Sequence, residues 1–400
     1  MSVTLTSARP ATGTDRGIYT YIAVYSAVLY MVLLIAPVIA GKLIAQYSLT
    51  PTELGMLFSL ELGAFSLATV PAYLWLNRLN LRTVTYVCTA VAIAGNLVSG
   101  FLDSFALLVL VRVVTSLAAG SITVIILTLS GKTANPSRGF GVFVVFQLLM
   151  GAVILFAFPA LYADADVSAI YWTMAALTAC CLPVVRMIDG DLLRRPREAS
   201  NVLATADVPA AEQSPAPAAS RVKFVIGLAA VLLFYIGLSG VWSFMAQISG
   251  GAGIDLATSS LVLAIATIPG IAAPLVATFL GDSPKRKWFL LIGYLALGGS
   301  VALLFGAPGL IRFALAALVF KFAWTFILPY LLASLSDIGG SHVMNSTNLM
   351  IGTGFAIGPV VSGMLIESAG GGFGGMLLLA VVAVLVSMGC AMAIQRPARA

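Results

Sequence analysis

The chain has 400 residues, 60% of them hydrophobic and only 9% charged, with a net charge of +6. Soluble domains carry about 25% charged residues, so the composition excludes one and points to an integral membrane protein. The positive charge does not mark a nucleic-acid partner, because the cations lie mostly in short loops between apolar runs.

Residues 1–17, "MSVTLTSARPATGTDRG", are polar and lack the apolar core of a cleavable signal, so the first apolar run is expected to stay as an anchor. About twelve runs follow that suit bilayer-crossing helices of roughly 20 residues. They cover 18–44, 51–77, 83–102, 104–130, 138–162 and 167–187, then 223–247, 256–281, 287–306, 310–335, 344–367 and 374–395. The alternating ten-residue segments of a membrane β-barrel are missing. The second run opens on Thr50-Pro51-Thr52-Glu53, a capping box with proline at the first helical position.

Residues 188–222 are rich in alanine, proline and charge and cannot bury enough apolar surface to fold. They read as a linker between two six-helix bundles, 18–187 and 223–400, the second ending in a short tail. "FALLVLVR" and "FALAALVFK", each in the fourth run of its half, suggest a duplication offset by one residue at the cation. Lysine and arginine crowd the loops on the side of the N-terminus, while Lys42 and Arg312 alone lie on the other side. This bias predicts a multi-pass protein of the cytoplasmic (inner) membrane with both termini cytoplasmic. Cys88, Cys180, Cys181 and Cys390 lie in or beside apolar runs without metal or disulfide spacing and read as packing residues. No cofactor or metal site is expected.

The two-part architecture resembles the major facilitator superfamily of secondary transporters over almost the whole chain. In that family the loop between helices 2 and 3 carries a glycine, an aspartate and clustered bases. Here it reads "YLWLNRLNLRTV", with Asn77 at the aspartate place, Arg78 and Arg82 keeping the basic part, and the glycine gone. The equivalent loop of the second half, "TFLGDSPKRKW", keeps Asp282 before Lys285, Arg286 and Lys287. The resemblance implies a gate at Arg78, Arg82, Asp282 and Arg286, where acids and bases latch helix ends. The plainer alternative is loops that are basic because they are cytoplasmic.

"RVVTSLAAGS" resembles the family's arginine-bearing helix 4, with Arg112 in the arginine place and Ser116 replacing a glycine. "GFAIGPVVSG" in the eleventh run resembles a glycine-proline pattern that drug antiporters carry in helix 5. Its absence from the fifth run here counts against a drug/proton antiporter. In the eleventh run, small residues allow close packing and bending.

Three ionisable residues fall well inside the apolar runs: Glu61, Arg112 and Lys321. Helical rise puts them at similar depths, about 15, 12 and 17 Å from the outer face. Transporters built from repeats hold their sites near that depth. Two cations and one acid leave a net positive cavity, which an anion, a carboxylate above all, would complete. Arg112 and Lys321 are therefore candidate substrate contacts, with structural pairing to Glu61 as the competing reading. Glu61 is likewise either the proton-coupling group or the fixed partner of Arg112. Tyr21, Tyr25, Gln147, Tyr235, Trp324 and Asn348 are further candidates for the pocket wall, with Tyr30 and Trp242 beside them. Lys321 and Trp324 are neighbours at i, i+3.

The expectation is a monomeric, proton-coupled transporter of a small organic anion that works by alternating access and is not an enzyme. The alternative is an exporter of hydrophobic drugs or metabolites. No phosphate loop appears in the sequence, so gradients or exchange must drive transport.

Overall fold

The computed structural model describes residues 13–193, 218–280, 285–338 and 341–395, and every regular element among them is helical. The first run is two helices, α1 (Gly13–Leu29) and α2 (Met31–Tyr47), parted at Tyr30 and reaching beyond the expected 18–44. The second is α3 (Pro51–Leu67) followed by α4 (Thr69–Trp75). Its capping box forms in full. The Thr50 hydroxyl accepts the Glu53 amide at 3.2 Å, and the Glu53 carboxylate accepts the Thr50 amide at 2.9 Å.

Next come α5 (Leu81–Ser99), α6 (Phe105–Ser130), α7 (Pro136–Tyr162) and α8 (Val167–Cys180), the last ending in a 3₁₀ turn at Leu182–Met187. Most of the expected linker lies outside the described residues. The chain resumes in α9 (Ala218–Ser243), earlier than the expected 223, and bends into α10 (Met245–Gly251). Then follow α11 (Leu256–Leu280), α12 (Arg286–Ala302), α13 (Leu310–Ser336), α14 (Ser341–Ser368) and α15 (Gly374–Ala393).

Eleven helical stretches among the described residues are long and apolar enough to cross a membrane. α12, at 17 residues, falls just short in length and, as the ninth in chain order, brings the passes to twelve. Large apolar side chains such as Leu67, Val87, Leu110, Phe156, Ile268, Ile292 and Leu378 face outward, as a bilayer solvent requires.

The packing scheme of the first passes recurs in the last. α1 packs on α7 as α9 packs on α14, α3 on α6 as α11 on α13, α5 on α6 as α12 on α13, and α5 on α8 as α12 on α15. Two seams join the sets, α3 against α14 and α7 against α11. An even number of passes leaves residues 13 and 395 at one end of the bundle, called here the terminal end.

The α3–α14 seam is closed tightly towards the far end. A side chain at Gly363 would strike the Pro51 carbonyl, and one at Gly55 would strike that of Pro359. The Ser59 hydroxyl accepts the Val360 amide at 2.9 Å, and Glu367 accepts the Thr52 amide at 3.3 Å. Gly354 and Gly358 let α14 lie against Tyr235 and Ser239 of α9. The glycines of "GFAIGPVVSG" are thus contact points between helix backbones.

Candidate functional site

Four helices converge on Arg112. From α6 its Nε donates to Glu61 Oε1 on α3, and its Nη1 donates to Asn96 Oδ1 on α5 at 2.6 Å. The guanidinium carbon lies 4.7 Å from the ring centre of Tyr171 on α8. Arg112 and Glu61 are 1% and 3% exposed, so the pair is removed from bulk solvent and neutralised within the protein. A buried pair of this kind holds only with good geometry and further hydrogen bonds, which Asn96 supplies.

The pair lines a cavity of about 120 Å³. Apolar side chains dominate its wall, among them Leu29, Leu33, Leu62, Phe65, Met174 and Phe355, with Ser66, Thr115 and Ser116 as polar points. A second chamber of about 370 Å³ shares Tyr30, Phe65, Ser66 and Ile351 with the first. It continues past Thr69, Thr123, Leu127 and Asn348 to Tyr73 and Leu76. The two together run from the Glu61–Arg112 pair towards the terminal end, while the α3–α14 seam closes the far end.

Lys321 on α13 is treated differently. It is 1% exposed, and its Nζ has no hydrogen-bond partner among the described residues. It lies 3.7 Å from the ring centre of Trp242 on α9 and 4.4 Å from that of Trp324 on its own helix. Two desolvated cation–π contacts contribute about 4 kcal/mol together, set against the several kcal/mol that burying an ammonium costs even after relaxation. The indoles offset much of that cost, but they give the nitrogen no hydrogen-bond acceptor and no opposite charge.

Trp242 ties this group to the other half. Its indole N–H donates to the Leu33 carbonyl on α2 at 2.8 Å. In a regular helix that carbonyl would receive the amide of residue 37, but Pro37 has none. Gln247 of α10 adds a bond from Nε2 to the Pro37 carbonyl at 3.2 Å. Leu33 also lines the cavity, whereas Trp242, Trp324 and Lys321 do not.

Residues 20–348 match the family profile of the Major Facilitator Superfamily, most of the chain's length. The chain belongs to that superfamily. Among solved structures it is similar to the nucleoside transporter NupG, with a TM-score of 0.70 and 14% identity over 96% of this chain and 98% of that one. A point mutant of the same transporter gives 0.72 at 14% identity, over 94% and 98%. A bacterial homologue of the human lysosomal transporter Spinster, inward-facing and unoccupied, gives 0.67 at 14% identity over 96% and 98%. At such identity the likeness concerns the fold. No curated protein sequence matches significantly.

In this facilitator the remaining expected pocket residues divide. Tyr21 and Tyr25 point from α1 to α5, where their hydroxyls meet those of Thr85 and Thr89 at 3.0 Å each. Both are fully buried and do not line the cavity. Tyr235 packs against Phe355 with ring centres 4.9 Å apart, one layer behind the cavity wall. Tyr30 lines both chambers and Asn348 the second. Gln147 on α7 keeps a buried Oε1 with no partner among the described residues. The three charges expected at one depth form two groups, Glu61 with Arg112 and Lys321 apart with the indoles.

At the terminal end, Arg82 donates from Nε to the Ile188 carbonyl at 2.6 Å and from Nη2 to that of Arg186 at 3.2 Å. Arg286 pairs with Asp337 at 2.7 Å. Each of these contacts joins helix ends inside one set of six passes. Arg78 is exposed, and Asp282 lies outside the described residues. Sequence reasoning missed Asn96, Tyr171, Asp337 and Glu367. Of these Asn96 had a signal, an amide in the apolar stretch "AVAIAGNLVSG".

Proposed function

We propose that this superfamily member is a secondary transporter that carries a small organic anion, a carboxylate, across the cytoplasmic membrane with protons. The observation carrying the reading is Lys321, a buried lysine with no acid partner among the described residues, while Arg112 already has Glu61. A carboxylate reaching Lys321 would supply the missing charge. Its apolar part would lie against the Leu29, Leu62 and Phe65 wall. With the termini cytoplasmic, the chambers open inward and the α3–α14 seam is the closed outer gate. Rocking of residues 1–187 against 223–400 would part Trp242 from Leu33 and admit the anion to the lysine.

The apolar lining of the first cavity favours a second reading, export of a hydrophobic metabolite, which would have no need of Lys321. A nucleoside, the solute named for one structural neighbour, would bring no charge to Lys321 either.

Uptake of a radiolabelled carboxylate panel into proteoliposomes separates these readings. The expected result is carboxylate transport that Lys321→Gln reduces at least tenfold. Transport of neutral solutes alone, or carboxylate transport unchanged by Lys321→Gln, would overturn the anion reading.

A further inference from the structure

We infer that Lys321, and not Glu61, carries the coupling proton, so that one proton crosses on the lysine amine with each anion. The inference rests on the anion reading for its cargo, but its geometry stands separately. Glu61 is committed: losing its charge would strand Arg112, whose other bonds go to the neutral Asn96 and the Tyr171 ring. Lys321 has no such commitment. Among the described residues the indoles give it neither an opposite charge nor a hydrogen-bond acceptor, so a neutral amine suits them as well as a cation joined by an anion.

The elements packed against α13 offer nothing to fix its charge. α11, which passes closest at Gly270, has no ionisable residue. α9 offers the Tyr235 phenol within the membrane and Arg221 and Lys223 only at its start. α12 offers Tyr294, with Arg286 and Lys287 at its first turn. α14 holds Glu367 near its far end, engaged with Thr52, and His342 at its opposite end. On α13 itself, Arg312 and Tyr330 stand at or near opposite ends of the helix, away from Lys321.

The cycle balances without a further reactant. Facing outward, the amine nitrogen forms one N–H bond with a proton from water. The carboxylate joins the ammonium, and the neutral pair crosses. Facing inward, the anion leaves for the cytoplasm. The ammonium, alone between two indoles, returns its proton to water, and the empty carrier resets as a free amine.

The test begins without substrate. In a Trp75→Phe/Trp172→Phe/Trp288→Phe background, only Trp242 and Trp324 remain to fluoresce. Their emission is followed in detergent from pH 5 to 9. A single titration step is expected in this background and in Glu61→Gln, and none in Lys321→Met or Lys321→Arg. If Glu61→Gln alone fails to fold, the pair is replaced together as Glu61→Gln/Arg112→Gln. A step lost on replacing Glu61, or kept in Lys321→Met, overturns the inference.

In proteoliposomes, the best-transported carboxylate of the panel should accumulate about tenfold for each unit of pH gradient, the ratio for one proton per monoanion. Lys321→Arg, always charged, should lose that response. A response retained there overturns the proton role while leaving the anion reading intact. A lysine-dependent titration step with no carboxylate uptake would instead sink the anion reading alone.

Discussion

Arg112 and Lys321 occupy matching fourth passes, and both are 1% exposed, yet the protein solves their burial in opposite ways. Around Arg112 four helices supply a carboxylate, an amide and a ring. Around Lys321 two indoles close over the nitrogen, and no acceptor among the described residues reaches it. A guanidinium keeps its charge in any surroundings, so the fold must supply a permanent partner. An amine can exist without charge, so its half of the molecule can leave the partner's place open. The difference teaches that a buried cation of the fourth pass can be held by a fixed acid in one half and by aromatic faces alone, among the described residues, in the other.

The comparison can be broken most forcefully at Glu61. Glu61→Gln leaves a buried guanidinium uncompensated and should destabilise the protein by about 3–5 kcal/mol. Thermal unfolding in detergent reads the loss, and adding Arg112→Gln should recover more than half of it. Asn96→Leu removes one hydrogen bond to a charged group and should cost about 1.5–3 kcal/mol in the same measurement. Lys321→Met should move the other way. It removes an unpartnered nitrogen and keeps the apolar stem, for a gain of about 1 kcal/mol. A melting temperature that fell as far in Lys321→Met as in Glu61→Gln would mean the two sites are alike after all.

Much of the architecture was legible because membrane crossing imposes a simple rule of length and apolarity. The twelve passes follow from it, and the Thr50–Glu53 cap could be read from four residues. The breaks at Tyr30 and Ala68 were not legible, since apolar sequence continues across both. Within the site, the rarity of charge singled out Glu61, Arg112 and Lys321, but depth alone could not say which would meet. That depends on how helices rotate about their axes. Rotation turns Tyr21 and Tyr25 towards α5 and brings Asn96 to Arg112. The Lys321–Trp324 spacing was local and readable, whereas Trp242, the nearer of the two indoles, comes from 79 positions away in the chain.

The bond from Trp242 to Leu33 has a consequence for inheritance. Its acceptor belongs to the main chain, so the side chain at position 33 can drift through any apolar type without touching it. What must persist is a missing hydrogen four residues later, at Pro37, and a donor of the right reach at position 242. Restoring that hydrogen with Pro37→Ala would let α2 reclaim its own carbonyl. The indole would then lose its hold on the opposite half. This one link between the two halves is written as an omission in one helix that another has come to fill.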